Sequence, residues 1–288
     1  MGGNSLKQQL DEDGYVVVDG LIPPEMEQPL KEACERIIAK ARNDEWKHRR
    51  IAGVQFPPWP EDGPDVWGIQ HVMHPDLGEP IFAQWYGSPA LLGAVCDILG
   101  VKEEELQLEL FNLLINPRES DYQLTWHRDA IPIDATEEEE REKLKIPHYG
   151  TQWNTALYDD DALIVVPGSH LRVRTPEERD TMISDGYAPL PGEKVVKLKA
   201  GQTVFYNNNI LHRARYSCKQ RRVTLHACMG CTVGGAHRAQ NILQHGLSWM
   251  REERFRQMLP ASLLGKYANL IRLADAQGDS EVGFSHPR

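Results

Sequence analysis

Gln123-Leu-Thr-Trp-His-Arg-Asp129 sets a histidine and a carboxylate two residues apart in the chain. On an extended strand such residues point to the same side, so His127 and Asp129 share one face while Trp126 and Arg128 point the other way. A second segment, Thr203-Val-Phe-Tyr-Asn-Asn-Asn-Ile-Leu-His-Arg213, supplies another histidine, His212, at the end of an apolar run. Two histidines and one carboxylate that leave coordination positions open form the facial set expected for non-haem Fe(II) oxygen chemistry. The short motif alone carries almost no weight. With 11 His and 42 acidic residues in 288, composition supplies about 1.6 His-x-acid triplets by chance, and the chain holds two. The other, His74-Pro-Asp76, reads as a loop or helix start, because proline interrupts a strand ladder and favours turns.

Composition narrows the classes. Hydrophobic residues at 41% and charged residues at 26% are ordinary for a soluble globular chain. A net charge of −10 argues against a nucleic-acid partner, whose surface calls for a basic footprint. No apolar run approaches the roughly 18 residues needed to cross a bilayer, and no signal-peptide pattern opens the chain, so no membrane association and a cytoplasmic location are expected. Five scattered cysteines read as reduced thiols. The pair Cys228-Met-Gly-Cys231 lacks a second ligand pair at zinc spacing.

Residues 6–42 read as a short helix, a strand at Tyr15-Val-Val-Val18 and a long helix with apolar residues at helical spacing. Residues 43–80 are rich in Pro, Gly and Trp and show no periodicity. They are expected to be a long ordered loop, serving either as a binding lid or as an aromatic pad over the helices. Ile81–Leu99 is expected to be one helix. Leu106–Ile115 begins with strand alternation, and Asp134–Lys145, with its Glu137-Glu-Glu-Glu-Arg141 run, is expected to be a solvated helical insertion. Short strands follow at Thr151–Leu157, Leu163–Val166, Val195–Leu198, Thr203–Leu211 and Arg222–Cys228, then helices over 235–275. This pattern predicts a single domain over 1–288, mainly β with flanking helices. Its helical part covers about 1–100, its β core about 106–230, and helices about 235–275 close it. The expected core is a double-stranded β-helix of the jelly-roll or cupin type, with the terminal helices packed on one sheet.

In their order, Asp13-Gly-Tyr-Val-Val-Val18, Trp126-His-Arg-Asp129, Val166-Pro-Gly-Ser-His170, Gly201-Gln-Thr-Val-Phe205, His212 and Arg221-Arg222 resemble the phytanoyl-CoA dioxygenase family of Fe(II)/2-oxoglutarate-dependent oxygenases. The resemblance covers about residues 6–230. It implies Fe(II) held by His127, Asp129 and His212, and 2-oxoglutarate as cosubstrate with an arginine on its far carboxylate. Strand parity favours Arg222 over Arg221: with Arg222 inward, Thr224, His226 and Cys228 follow it, and Val223, Leu225 and Ala227 pack under helices. Parity with His127 adds Gln123 and Thr125 near the cosubstrate. On the substrate side the candidates are Trp153 or Asn154, with Trp59, His71 and Met73 from the aromatic loop. The family's Asn-Gly before the Pro-Gly-Ser-His turn is replaced by Asp160-Asp-Ala162.

The implied reaction consumes molecular oxygen and oxidises a C–H bond of a small organic molecule, releasing succinate and CO2. Hydroxylation is the expected outcome, with desaturation, cyclisation or endoperoxide formation as variations. Asp129 argues against halogenation, since related halogenases have a small residue there. The acidic chain does not favour a coenzyme A ester. Two other classes compete with this reading. A zinc hydrolase with the same ligand set would show a helical H-E-x-x-H motif, which is absent. A cupin-like binding protein without catalysis would have lost a ligand or the arginine. The sequence leaves the oligomeric state open, a homodimer included.

Overall fold

The computed structural model describes residues 5–278 other than 58, 61, 62, 64, 148 and 245. Strands β1 (Tyr15–Val18), β2 (Arg49–Ile51), β3 (Val66–Ile69), β4 (Leu106–Ile115), β5 (Tyr122–Gln123) and β6 (Gly150–Ala156) come first. They are followed by β7 (Leu163–Val166), β8 (Lys194–Val195), β9 (Thr203–Tyr206), β10 (Leu211–Tyr216) and β11 (Val223–Cys231). They form a seven-stranded sheet in the order β1-β9-β6-β11-β4-β3-β2 and a four-stranded sheet in the order β5-β10-β7-β8. Every pairing is antiparallel.

The helices are α1 (Leu6–Asp13), α2 (Pro24–Arg42), α3 (Ile81–Tyr86), α4 (Pro89–Leu99), α5 (Glu137–Leu144), α6 (Pro176–Ser184), α7 (Gly235–Gln244), α8 (Glu253–Met258) and α9 (Ala261–Gln277). They hold more residues than the strands, so the chain mixes α and β more evenly than the expected mainly-β class. No helix is long and apolar enough to cross a membrane among the described residues.

Register explains how the large sheet divides its faces. Phe111, Ala227, Trp153, Phe205 and Val16 are successive partners across five strands, and all are buried in the main apolar core with α2, α3, α4 and α9. Side chains alternate along each strand, so the next row, His226 and Asn154, turns to the opposite side. That side faces the small sheet across a cavity.

Three segments depart from the sequence expectation. The 43–80 loop contains β2 and β3, which extend the large sheet at its edge. Strands of three and four residues are too short for a period to show. Ile81–Leu99 is two helices, broken where Gly87 caps α3 and Ser88-Pro89 starts α4. The residue before a proline is steered away from helical backbone, which makes this a natural boundary. The Thr203–Leu211 strand is likewise two, turning at 207–210.

His74-Pro-Asp76 opens a short 3-10 turn in which His74 Nδ1 accepts from the Asp76 amide. His170, in the Pro-Gly-Ser-His turn, lies against Gly14 and has Nε2 3.1 Å from the Asp11 carbonyl. Gly14 has φ +81°, and a Cβ there would stand 2.5 Å from the His170 ring. Glycine is the residue that meets both demands.

Candidate metal centre and cavity

His212 lies on β10. Its neighbour across the chain is His127: the His127 amide donates to the His212 carbonyl at 3.0 Å, and the reverse bond is 3.1 Å. Asp129 is fixed by its own amide, which donates to Asn208 O at 2.8 Å. The two rings lie 4.2 Å apart between centroids. Asp129 Oδ1 sits 3.7 Å from His127 Nε2 and 3.6 Å from His212 Nε2, and one ligand atom from each residue lies within 4.8 Å of the others.

The other ring nitrogens face carbonyls. His127 Nδ1 is 2.8 Å from Thr125 O, and His212 Nδ1 is 2.9 Å from Ile210 O. Donation from Nδ1–H fixes the tautomer and leaves Nε2 as the lone-pair donor, the arrangement a divalent cation requires. Burial pushes the Asp129 carboxyl up, but His212, His127 and Gln152 outweigh it, holding the group below the usual carboxylate range. Gln152 Nε2 donates to Asp129 Oδ2 at 2.5 Å, so one carboxylate oxygen is steered while the other faces the histidines. This donor set fits iron. Trp126 and Arg128 do point away, Trp126 into a small apolar cluster and Arg128 onto Glu140 at 3.0 Å.

The cavity beside these ligands has a volume of about 350 Å³ and takes walls from both sheets. Arg222 lines it, together with His226 and Cys228, while Val223, Leu225 and Ala227 are in the helix-side core. Arg221 is exposed and pairs with Glu35. Arg222 Nε donates to Asp160 Oδ2 at 2.9 Å, the guanidinium lies 4.5 Å over the Tyr216 ring, and Nη1 is buried with no partner. Burial opposes the charge on Arg222, but Asp160 and Tyr216 more than offset it. The orphaned Nη1 suits a carboxylate ligand. Burial first, then Arg50, lowers His226 to about 3, so the ring is neutral and its Nδ1 meets Asn154 Oδ1 at 2.9 Å.

The remaining expected residues divide. Asn154 and Trp59 line the cavity. Trp153 does not; it faces the helices, 5.8 Å from Tyr86 and 5.6 Å from Phe205 between ring centroids. His71 and Met73 are buried outside the cavity, His71 with its ring 5.0 Å from His48 and 5.7 Å from Trp249. Gln123 is exposed, with Oε1 3.5 Å from Arg213 Nη1. Thr125 donates its hydroxyl to Gln55 Oε1 at 2.8 Å. Parity from His127 fails because the ladder changes partner: the Leu124 amide bonds Ala214, whereas the Trp126 amide bonds Gly186. Leu124 lines the cavity instead of Gln123.

Among the residues missed from sequence, Gln152 was accessible through parity with Asn154. Gln55, whose amide group ties down Thr125 ahead of His127, lies where no periodicity exists.

A family profile described as Phytanoyl-CoA dioxygenase (PhyH) matches residues 10–223. No curated protein matches the chain. Among solved structures it is similar to AviO1 from Streptomyces viridochromogenes Tue57, with a TM-score of 0.56 at 16% identity over 78% of this chain and 93% of that one. EctD from S. alaskensis, solved with 2-oxoglutarate and 5-hydroxyectoine, gives 0.55 at 17% identity over 78% and 74%. The epimerase SnoN, solved with Fe3+, alpha ketoglutarate and nogalamycin RO, gives 0.52 at 18% identity over 79% and 82%. At these identities the structural likeness establishes the fold, and the family follows from the profile, which spans well over half the chain. The chain belongs to the phytanoyl-CoA dioxygenase family and is an Fe(II)- and 2-oxoglutarate-dependent oxygenase.

Proposed function

We propose that this enzyme hydroxylates a C–H bond of a small organic molecule, with Fe(II) held by His127, Asp129 and His212 and the far carboxylate of 2-oxoglutarate held by Arg222. In balance, substrate R–H, O2 and 2-oxoglutarate give R–OH, succinate and CO2. Bound iron supplies the activation of O2 that couples cosubstrate decarboxylation to C–H oxidation. The chain's residues do the rest. Thr125 O and Ile210 O fix the two imidazoles. Gln152 orients Asp129. Asp160 and Tyr216 hold Arg222 with one N–H group unspent. Asn154 and Trp59 bound the space left for substrate.

The observation that carries this reading is the convergence of His127 and Asp129 with the remote His212 in the same cavity as a guanidinium with an unmet donor. The two antiparallel sheets are read as the halves of a double-stranded β-helix, in one domain. All five cysteines are free thiols, which suits a reducing cytoplasm.

Anaerobic titration with Fe(II) and 2-oxoglutarate tests the assignment through the metal-to-ligand charge-transfer band. The wild type is expected to show it, and Asp129→Ala and His212→Ala to lose both the band and succinate production. Arg222→Gln is expected to keep iron but bind 2-oxoglutarate at least about tenfold more weakly, the loss of one charge-assisted contact. Full conversion of 2-oxoglutarate to succinate by either ligand variant would overturn it.

A further inference from the structure

We propose that Arg50 is a second anion-binding residue of this cavity, and that it receives a carboxylate carried by the substrate. The proposal rests on the reading of the cavity as a substrate site and adds the chemical class of what enters it.

Position comes first. Arg50, Gly68, Leu114 and Thr224 are successive partners across β2, β3, β4 and β11, so Arg50 shares the cavity-side row with Thr224. Gly68 opens the path: a Cβ there would stand 2.8 Å from Arg50 Cδ and 3.2 Å from its Cβ and Cγ. The Arg50 stem therefore crosses the bare glycine backbone. Its guanidinium reaches the cavity wall, 4.9 Å from the Trp59 ring centroid and 5.3 Å from that of Trp67. Contact with aromatic faces holds the cation while leaving its edge donors for a ligand.

Charge balance sets Arg50 apart. The other arginines lining the cavity each have a carboxylate: Arg222 has Asp160 at 2.9 Å, Arg238 has Glu109 at 2.6 Å, and Arg213 has Glu193 at 3.3 Å. Arg50 has none among the described residues. Its Nε and the neighbouring Trp59 Nε1 are both buried donors without partners. Leaving a guanidinium unpaired in a partly desolvated site is destabilising, and an anionic ligand removes that penalty. Two amide oxygens in the same cavity, on Asn208 and Asn241, are also unmet, which suits a ligand bearing hydroxyl or amino donors beside its carboxylate. Arg222 already serves the cosubstrate in the proposed assignment, so Arg50 is left for the substrate.

The test is equilibrium dialysis of the full chain under anaerobic Fe(II) and saturating 2-oxoglutarate, with 3-phenylpropionate, its neutral amide, and phenyl phosphate as probes at fixed ionic strength. The wild type is expected to bind the acid at least about tenfold more tightly than the amide. Arg50→Gln is expected to abolish that preference and leave the 2-oxoglutarate charge-transfer band intact. Gly68→Val, which keeps the arginine but blocks its path, is expected to mimic Arg50→Gln, and Arg50→Lys to restore part of the preference.

Equal binding of acid and amide, no binding of either, or an undiminished preference in Arg50→Gln would overturn the proposal. So would a band lost in Arg50→Gln but kept in Arg222→Gln, which makes Arg50 the cosubstrate's anchor. Preference for phenyl phosphate over the carboxylate would overturn the assignment of ligand class. A wild type that discriminates the acid yet shows no band would instead remove the iron and 2-oxoglutarate reading alone.

Discussion

Asp160 forms an isolated antiparallel bridge with Leu198, and its carboxylate is spent on three partners. Arg222 Nε donates to it at 2.9 Å, Thr224 Oγ1 at 2.7 Å and the Ala162 amide at 2.8 Å. Burial raises its carboxyl, and Arg222 with Thr224 brings it below the usual range. The folded value is depressed, so this stabilisation is present above the unfolded carboxylate value of about 3.9 and is lost as pH falls through the folded one. Asp160→Asn keeps the shape and strands the arginine. Breaking one partner of a buried pair typically costs about 3–5 kcal/mol, and urea unfolding of metal-free protein is expected to show a loss of that order. Adding Fe(II) and 2-oxoglutarate is expected to recover part of it, because the ligand's carboxylate meets the stranded charge. A loss indifferent to ligand would separate Asp160 from cosubstrate binding.

At this scale legibility followed backbone regularity. Arg222 could be chosen over Arg221 because β11 is a nine-residue strand whose alternation can be counted back to it. Gln123 and Thr125 fall outside the cavity because β5 ends at Gln123 and the backbone changes partner before His127. Arg50 stood in a segment with no visible period at all.

Between residue and fold, α5 shows how a charge run can mislead. Glu137, Glu138 and Glu139 are exposed, as a solvated helix requires, but Glu140 is completely buried. Arg128 Nε and Arg174 Nε each donate to it at 3.0 Å, and Arg179 also bonds it. Periodicity in charge could not show this, because the partners come from residues 128, 174 and 179. Since Arg128 lies between the proposed ligands His127 and Asp129 in the chain, the α5 cluster would buttress the proposed metal centre from behind. Glu140→Gln leaves three arginines around a neutral group. It is expected to lower stability by about 3 kcal/mol or more and to weaken Fe(II) binding roughly tenfold or more, the scale of a lost supporting contact. Calorimetric Fe(II) titration checks this, with Glu137→Gln as the exposed control expected to change neither quantity. Unaltered iron affinity in a folded Glu140→Gln protein would reduce the cluster to a structural brace.

Arg238 plays a similar part for α7, whose Asn241 and Ile242 reach the cavity. It makes paired bonds to buried Glu109 at 2.6 and 2.7 Å, and Gly150 and Gly230 leave room for the pair. Arg238→Gln is expected to make the 232–247 region several-fold more sensitive to limited proteolysis, read by mass spectrometry, because opening would no longer break a buried ion pair. A cleavage rate equal to that of the wild type would mean that apolar packing alone holds the helix.

Across the whole molecule, four of the described histidines outside the proposed metal centre, His48, His71, His74 and His170, share one electrostatic condition. Burial lowers His48, His74 and His170, and lowers His71 to about 3, with His48 and His74 nearby adding to the effect on His71. Each therefore takes up its proton in the fold at a lower pH than in the unfolded chain, where an imidazole titrates near 6.5. The sign follows directly. With bases depressed in the folded state, the unfolded state binds more protons below that value, so unfolding becomes easier as pH falls from about 6.5 toward 3.

The carboxylates act later. Asp160 is held below its ordinary value, so its contribution fades only under more acidic conditions. The protein is thus expected to weaken in two stages, the first in the histidine range. Urea unfolding of metal-free protein at pH 7.5, 6 and 5 checks this, and leaving metal out keeps pH-dependent metal binding from adding to the effect. His71→Asn isolates one contributor: His71 has φ +63°, which asparagine tolerates better than most residues. Its midpoint should be lower at pH 7.5, because ring packing is lost, yet fall less between pH 6 and 5 than that of the wild type. Stability that stays level from pH 7.5 to 5 would mean that these rings find proton-accepting partners in solution, and the neutral cluster around Trp249 would have to be redrawn.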